Sequence, residues 1–265
     1  MEGHRDELVI TSKVFGQMGA DRNARGNSRR NIMLAVEASL KRLNTDRLDV
    51  YFLHNFDANT PLEESLRALD DLVMQGKIIY AGASNHAAWQ VMKSLGITAR
   101  EGWSRFKVIQ PMYNLVKRQA EVELLPMAQS ERLAVISYSP LGGGLLTGKY
   151  RDAQPAAGRF SESPIYVKRY SSEGMYESAN AFATLARAHG FSPAALAVAW
   201  VAVHPAITAP IIGARNVEQL ADSLASVHVK LTSELYADIA QLTSQPVPAT
   251  DRTEETRPTV ALQAW

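Results

Sequence analysis

Chemistry-bearing side chains in this sequence recur in one setting, the end of a short apolar run. Lys13 ends the first run, His54 with Asn55 the second, and Ser84 with Asn85 the third; Gln110, Tyr138 with Ser139, and Gly213 end the next three. Lysine and histidine carry or move charge near neutral pH, and serine, asparagine and glutamine offer donors and acceptors to a polar ligand. Singly, each has a plain structural reading. A lysine after a strand is by default a solvated loop residue, a lone histidine there a satisfied structural one, and Ser-Asn before a helix an N-cap. Gly142-Gly143-Gly144 alone is a flexible turn. Their joint recurrence at strand ends is what marks a site. With no cysteine in the chain, disulfides, thiolate nucleophiles and cysteine-held metals are excluded, and no metal site is expected.

The elements that must position these residues read clearly. Six β-rich runs occur at 8–14, 48–54, 78–84, 106–110, 133–139 and 210–212. Several are almost continuously apolar, as strands covered on both faces are. Amphipathic helices lie between them. Thr60-Pro61-Leu62-Glu63 predicts an N-cap, a proline at the first helical position and a capping-box glutamate, followed by Leu66, Leu69, Leu72 and Val73, with Gly76 as the stop. A helix over 31–43 is marked by Ile32, Val36, Leu40 and Leu43; another covers 173–189 and closes at Gly190. Further helices start at Ser192-Pro193 and at Asn216, with Gln219 at the capping-box position.

Strand and helix alternating at these spacings predict right-handed βαβ units and a parallel α/β fold. An open doubly wound sheet and a closed barrel both fit that alternation. The first strand lacks the Gly-x-Gly-x-x-Gly turn that would favour the open sheet, so the parallel (β/α)8 TIM barrel is preferred. Residues 1–265 are read as one domain, with a long connection at 151–172 and an irregular tail at 244–265. Trp103 and Trp265 read as packing residues. Hydrophobic residues make up 46% of the 265 residues, and the net charge is +1, with basic residues scattered; 22–30 is a solvated loop. No nucleic-acid partner is expected. The polar first residues and the lack of a long apolar run predict a cytoplasmic chain without a membrane partner.

These motifs resemble the aldo-keto reductase family. Ile10-Thr11-Ser12-Lys13 is similar to its third-strand motif ending in the active-site lysine. The stretch from Ser39-Leu40-Lys41-Arg42-Leu43 through Asp46-Arg47-Leu48-Asp49 to Phe52-Leu53-His54 resembles its signature leading into the active-site histidine. Gly82-Ala83-Ser84-Asn85 resembles its fifth-strand motif. Tyr138-Ser139-Pro140-Leu141 with Thr147-Gly148-Lys149-Tyr150, and Ile212-Gly213-Ala214-Arg215-Asn216 through Gln219-Leu220, complete the series in family order. The resemblance spans 7–227, in the form carried by the bacterial and potassium-channel-β-like branch.

The resemblance implies reduction of aldehydes and ketones by hydride transfer from a nicotinamide cofactor. His54 is then implied to hydrogen-bond the substrate carbonyl, and Lys13 to lower the pKa of a neighbouring proton donor. Ser84, Asn85 and Gln110 are implied to hold the nicotinamide carboxamide, and Tyr138 to stack on its ring. Ser139, Leu141, Gly144 and Lys149 would follow the pyrophosphate, with Gly213 in the final motif and Arg159 clamping the adenosine half. Arg215 and Gln219 sit at a helix start, where arginine suits a 2′-phosphate, so NADP is implied rather than NAD.

Two departures from the family pattern bear on function. Asp222 and Ser223 stand where the family usually has Glu and Asn near the adenine. The family's catalytic aspartate and proton-donating tyrosine lie before the lysine strand, and only twelve residues precede Lys13 here. About six of eight βα units are therefore expected, with roughly 60 residues absent at about 30 per unit. Tyr51 is predicted to point to the face opposite His54, and Tyr113 lies just beyond Gln110 as the other candidate for a substitute acid. The expected function is an NADP-dependent carbonyl reductase impaired by the missing acid. A catalytically inactive NADP-binding regulatory protein is the alternative, and a homo-oligomer stays open.

Overall fold

The computed structural model describes residues 3–150, 158–252, 254 and 262–263. Residues 151–157 of the long connection, and Trp265 with most of the tail, lie outside them. The chain divides into two compact units, the first comprising 1–111 and 127–134, the second 112–126 and 135–265.

In the first unit, strands β1 (Thr11–Val14), β2 (Leu48–Leu53), β3 (Ile78–Ser84) and β4 (Phe106–Gln110) pair in chain order, all parallel. Helices α1 (Arg29–Leu43), α2 (Leu62–Met74) and α3 (Ala88–Glu101) alternate with them. Every residue of β2 but Asp49 is buried, as a strand covered on both faces must be. In α1, Ile32, Val36 and Leu40 form the buried stripe, Ser28 caps the start by accepting the Asn31 N–H at 3.3 Å, and Asn44 ends it in the left-handed region.

Two local expectations are corrected. The first strand begins at Thr11, not Leu8, because the Ile10 N–H is taken by the Asp49 carboxylate at 2.7 Å and Arg5–Glu7 winds into a 3-10 turn. Helix α2 starts at Leu62 with Pro61, not Thr60, as its cap. The Thr60 hydroxyl donates instead to Asp57 at 2.9 Å, so a nearer carboxylate removes it from the helix end. The stop at Gly76 is as expected, with φ +70°.

Register makes the strand ends level. Val14 lies beside Leu53, Leu53 beside Ala83, and Ser84 beside Gln110, which brings the ends of all four strands to one rim. Gly82 keeps β3 close to its neighbours: a Cβ there would lie 2.6 Å from the Phe52 ring and 2.9 Å from the Val108 carbonyl. Gly82→Ala is therefore expected to destabilise by about 1–3 kcal/mol through overpacking, read as a lower denaturation midpoint; an unchanged midpoint would contradict this packing.

The second unit contains the pair β5 (Ala134–Ser137) and β6 (Ala209–Pro210), parallel, with Ile136 beside Ala209 and Ser137 beside Pro210. Both are shorter than the apolar runs that announced them. Helix α4 (Leu124–Ser130) precedes β5, and the short helices α5 (Arg159–Glu162) and α6 (Pro164–Arg169) follow it. Then come α7 (Glu173–Ala188), α8 (Pro193–Ala202), α9 (Val217–Leu224) and α10 (Ser233–Gln241). Ser192 caps α8 as expected, accepting from the Ala194 and Ala195 N–H groups at 3.2 and 3.5 Å. Residues Ala194–Ala202 of α8 are all buried, and Trp200 stacks on Tyr236 with ring centres 5.2 Å apart. Among the described residues no helix is long and apolar enough to cross a membrane. The structure thus supports a parallel α/β fold of six strands alternating with helices.

Candidate active site

Of the fourteen residues expected at a site, five fall in the first unit and nine in the second. In the first unit His54, Asn85, Ser84 and Gln110 form a chain of hydrogen bonds along the strand rim, with Lys13 on the adjacent strand. Lys13, on β1, holds its ammonium 5.7 Å from the centre of the Phe52 ring, and burial pushes that ammonium below the ordinary lysine value. His54 follows β2 and has an exposed side chain. Burial, then the Lys13 charge, holds its imidazole below the ordinary histidine value. The neutral ring is thereby favoured at neutral pH, which suits a hydrogen-bonding group for a carbonyl oxygen.

Beside it, the Asn85 amide donates to the His54 carbonyl at 2.9 Å and to the Ser84 hydroxyl at 3.2 Å. Ser84 in turn donates to the Gln110 carbonyl at 2.9 Å. Asn85 adopts φ +55°, a left-handed conformation that asparagine tolerates better than most residues. The Gln110 side chain is buried, and its Nε2 has no hydrogen-bond partner among the described residues. A buried amide donor without a partner costs about 1–3 kcal/mol, so its presence beside the rim fits a polar group of a ligand.

His86 was not anticipated from sequence. It is buried, and its Nδ1 donates to the Ser84 carbonyl at 2.8 Å, bracing the Ser84-Asn85 turn. The only signal available was its place directly after Asn85. Of the other tyrosines weighed as acids, Tyr51 is fully buried in β2, and burial pushes its hydroxyl far up. Its hydroxyl has no partner among the described residues. Tyr113 is also fully buried and donates to Glu121 at 2.9 Å. Neither hydroxyl is presented to a substrate.

All nine residues in the second unit line one cavity of about 530 Å³: Tyr138, Ser139, Leu141, Gly144, Lys149, Arg159, Gly213, Arg215 and Gln219. Asp222 and Ser223, the two departures, line it too, as do Gly143 and Thr147 from the motifs and Tyr166, which the sequence did not point to. The floor is the glycine run. Gly142, Gly143 and Gly144 take φ of +58°, +69° and +97°, three consecutive left-handed residues. A Cβ on Gly144 would lie 3.0 Å from the Lys149 Cε and 3.1 Å from its Nζ, and the φ of +97° favours glycine there.

Three cations face this cavity. Burial, followed by the charges of Arg215 and Arg159, holds the Lys149 ammonium below its ordinary value, with Glu162 opposing. Arg159 lies over the Tyr166 ring and donates to its hydroxyl at 3.1 Å. Arg215 forks onto Glu162 at 2.8 and 2.5 Å. Asn216 caps α9 by accepting the Gln219 N–H at 2.9 Å. The expected reciprocal bond does not form, since the Gln219 side chain accepts from the Arg215 N–H at 3.1 Å instead. That bond ties the arginine backbone to the helix start.

Histidines held neutral by desolvation also set an acid limit on stability, the exposed His54 least and the buried His86 and His204 most. His54, His86 and His204 are all held below their ordinary 6.5 by burial above all. Below that value the unfolded chain binds more protons than the folded one. Their contribution is therefore complete above the unfolded value and is lost as pH falls through the lowered folded values. The melting temperature is expected to be lower at about pH 5.5 than at about pH 7.5; an equal or higher one would contradict it.

The protein is thus a parallel α/β fold with a lysine–histidine strand rim in one unit and a cation-lined, glycine-floored cavity in the other. Comparison with known proteins gives the family. The model of the aldo/keto reductase family matches residues 1–244. YrpG of Bacillus subtilis, named an uncharacterized oxidoreductase, is 34% identical over 87% of this chain and 70% of its own length. A probable voltage-gated potassium channel subunit beta of Arabidopsis thaliana is 33% identical, covering 85% and 70%. A versiconal hemiacetal acetate reductase of Aspergillus parasiticus is 37% identical, covering 80% and 62%. The chain belongs to the aldo/keto reductase family of oxidoreductases.

Proposed function

We propose that this chain is an NADP(H)-dependent carbonyl reductase, acting on aldehydes or ketones within a (β/α)8 barrel of the family type. The observation that carries the reading is the cavity: nine residues chosen from motifs spread over 138–219 line a single space with three cations around a glycine floor. The residues fit the dinucleotide. Lys149, Arg159 and the 142–144 backbone suit its pyrophosphate, and Arg215 suits a 2′-phosphate. The unpartnered Gln110 amide, with Ser84 and Asn85, suits the nicotinamide carboxamide. When bound, NADPH supplies a hydride to the carbonyl carbon.

The chain's own groups would act at the carbonyl oxygen. His54, kept neutral, hydrogen-bonds that oxygen, and Lys13 adds positive charge close by. This polypeptide is expected to bind NADPH and to oxidise it when a generic aldehyde is added. Purified protein titrated with NADPH should show quenched tryptophan fluorescence. No binding at all would refute the reading.

A second reading, an NADP-binding regulatory subunit with little turnover, is favoured by the relative named as a potassium channel subunit beta. It predicts tight NADPH binding with no aldehyde-dependent oxidation of the bound nucleotide in a single-turnover experiment.

A further inference from the structure

We infer that Glu162 is a specificity-determining residue, a carboxylate that competes with a phosphate monoester for the guanidinium of Arg215. The inference rests on the nucleotide reading above and deepens it. Of the three cations on the cavity, Arg159 is engaged by a tyrosine ring and hydroxyl, and Lys149 lies 5.0 Å from the centre of the Tyr150 ring. Arg215 alone among them has an ion pair to a carboxylate among the described residues.

That pair is bidentate. Both terminal nitrogens of Arg215 donate to the two oxygens of Glu162, at 2.8 and 2.5 Å. A guanidinium fork matches carboxylate and phosphate in the same way, with two parallel N–H donors meeting two oxygens. Glu162 therefore fills the geometry that a 2′-phosphate would use. Arg215 faces the cavity, whereas Glu162, on α5, is not among the residues lining it. The carboxylate reaches the arginine from outside, 53 residues away in sequence.

The consequence differs between ligands. A nucleotide carrying a 2′-phosphate gains its arginine contacts only by displacing Glu162, so its net gain is reduced by the strength of that pair. A nucleotide with a free 2′-hydroxyl leaves the pair intact. Glu162 thus narrows the preference for phosphorylated over unphosphorylated nucleotides without touching the rest of the ligand. Both side chains are about half exposed, at 46% and 59%, so solvent screens the pair and the effect is modest.

Glu162→Gln tests this, with 2′,5′-ADP and 5′-ADP as calorimetric probes of the intact chain. The variant is expected to bind 2′,5′-ADP about three- to fivefold tighter than the wild type, while 5′-ADP affinity stays constant. The gain should shrink as salt is raised, because the competing pair is itself screened. An unchanged affinity for 2′,5′-ADP, with the wild type still preferring it to 5′-ADP, would overturn the competition and leave the NADP reading standing. Equal tightening of both probes would also overturn it, as a general charge effect. A wild type that does not prefer 2′,5′-ADP would remove the NADP reading and this inference together.

Discussion

Replacing Arg215 with alanine is expected to weaken NADP(H) binding about ten- to thirtyfold while changing NAD(H) binding little. Arg215 lines the cavity at the start of α9, its backbone N–H held by the Gln219 side chain and its guanidinium at the protein surface. Hydrogen bonds to charged groups contribute about 1.5–3 kcal/mol. Half exposure and the need to displace Glu162 put this site at the lower end of that range. On the proposed reading, losing the guanidinium removes the contacts to the 2′-phosphate and spares the rest of the dinucleotide. Fluorescence titrations with both cofactors read the difference. Parallel losses for NADPH and NADH would show that Arg215 serves the general anion field of the cavity and not the 2′-phosphate.

Glu121→Ala is expected to cost about 3–5 kcal/mol of stability, the range for removing one partner of a buried ion pair. In the second unit Arg118 donates to both Glu121 oxygens, at 2.8 and 3.0 Å, and each side chain is nearly buried, at 10% and 12% exposure. Tyr113 donates its hydroxyl to the same carboxylate, and Arg118 also donates to the Ala240 carbonyl at 2.8 Å, reaching the end of α10. Without Glu121 the buried Arg118 guanidinium keeps the Ala240 carbonyl but loses its charge partner, and the buried Tyr113 hydroxyl loses its carboxylate acceptor. Around them Tyr113, Trp200, His204 and Tyr236 pack ring against ring, which leaves little room for water to substitute. Chemical denaturation reads the loss. Glu121→Gln should lose less, since it keeps one acceptor; a loss under about 1 kcal/mol for the alanine variant would refute the account.

Much of this architecture is written in local patterns. Strands β3 and β4 begin and end where the apolar runs do, because a strand buried on both faces leaves an uninterrupted apolar signature. Ser28 and Asn44 at the ends of α1, Ser192 at α8 and Asn216 at α9 act within four residues of the helices they bound, and such contacts are legible in one dimension. Lys13, His54, Ser84 and Gln110 follow from strand ends alone once the strands are parallel and in register.

What escaped the sequence was decided by groups far apart in the chain. The Ile10 N–H met the Asp49 carboxylate, ending the reach of β1 toward Leu8. Gln219 stood at the expected capping position and then spent its side chain on the Arg215 N–H, so the same residue types made a different bond. Glu162 sits in a four-residue helix with no motif around it, and its meeting with Arg215 exists only after folding. The order of strands, the caps at Ser192 and Asn216 and the strand-end places of Lys13 and His54 were set by the sequence itself, since periodicity and capping act over a few residues. The partners of Arg215, the orphaned Gln110 amide and the burial that keeps His54 neutral were decided by tertiary structure, because desolvation and charge pairing depend on what folding brings within a few ångströms.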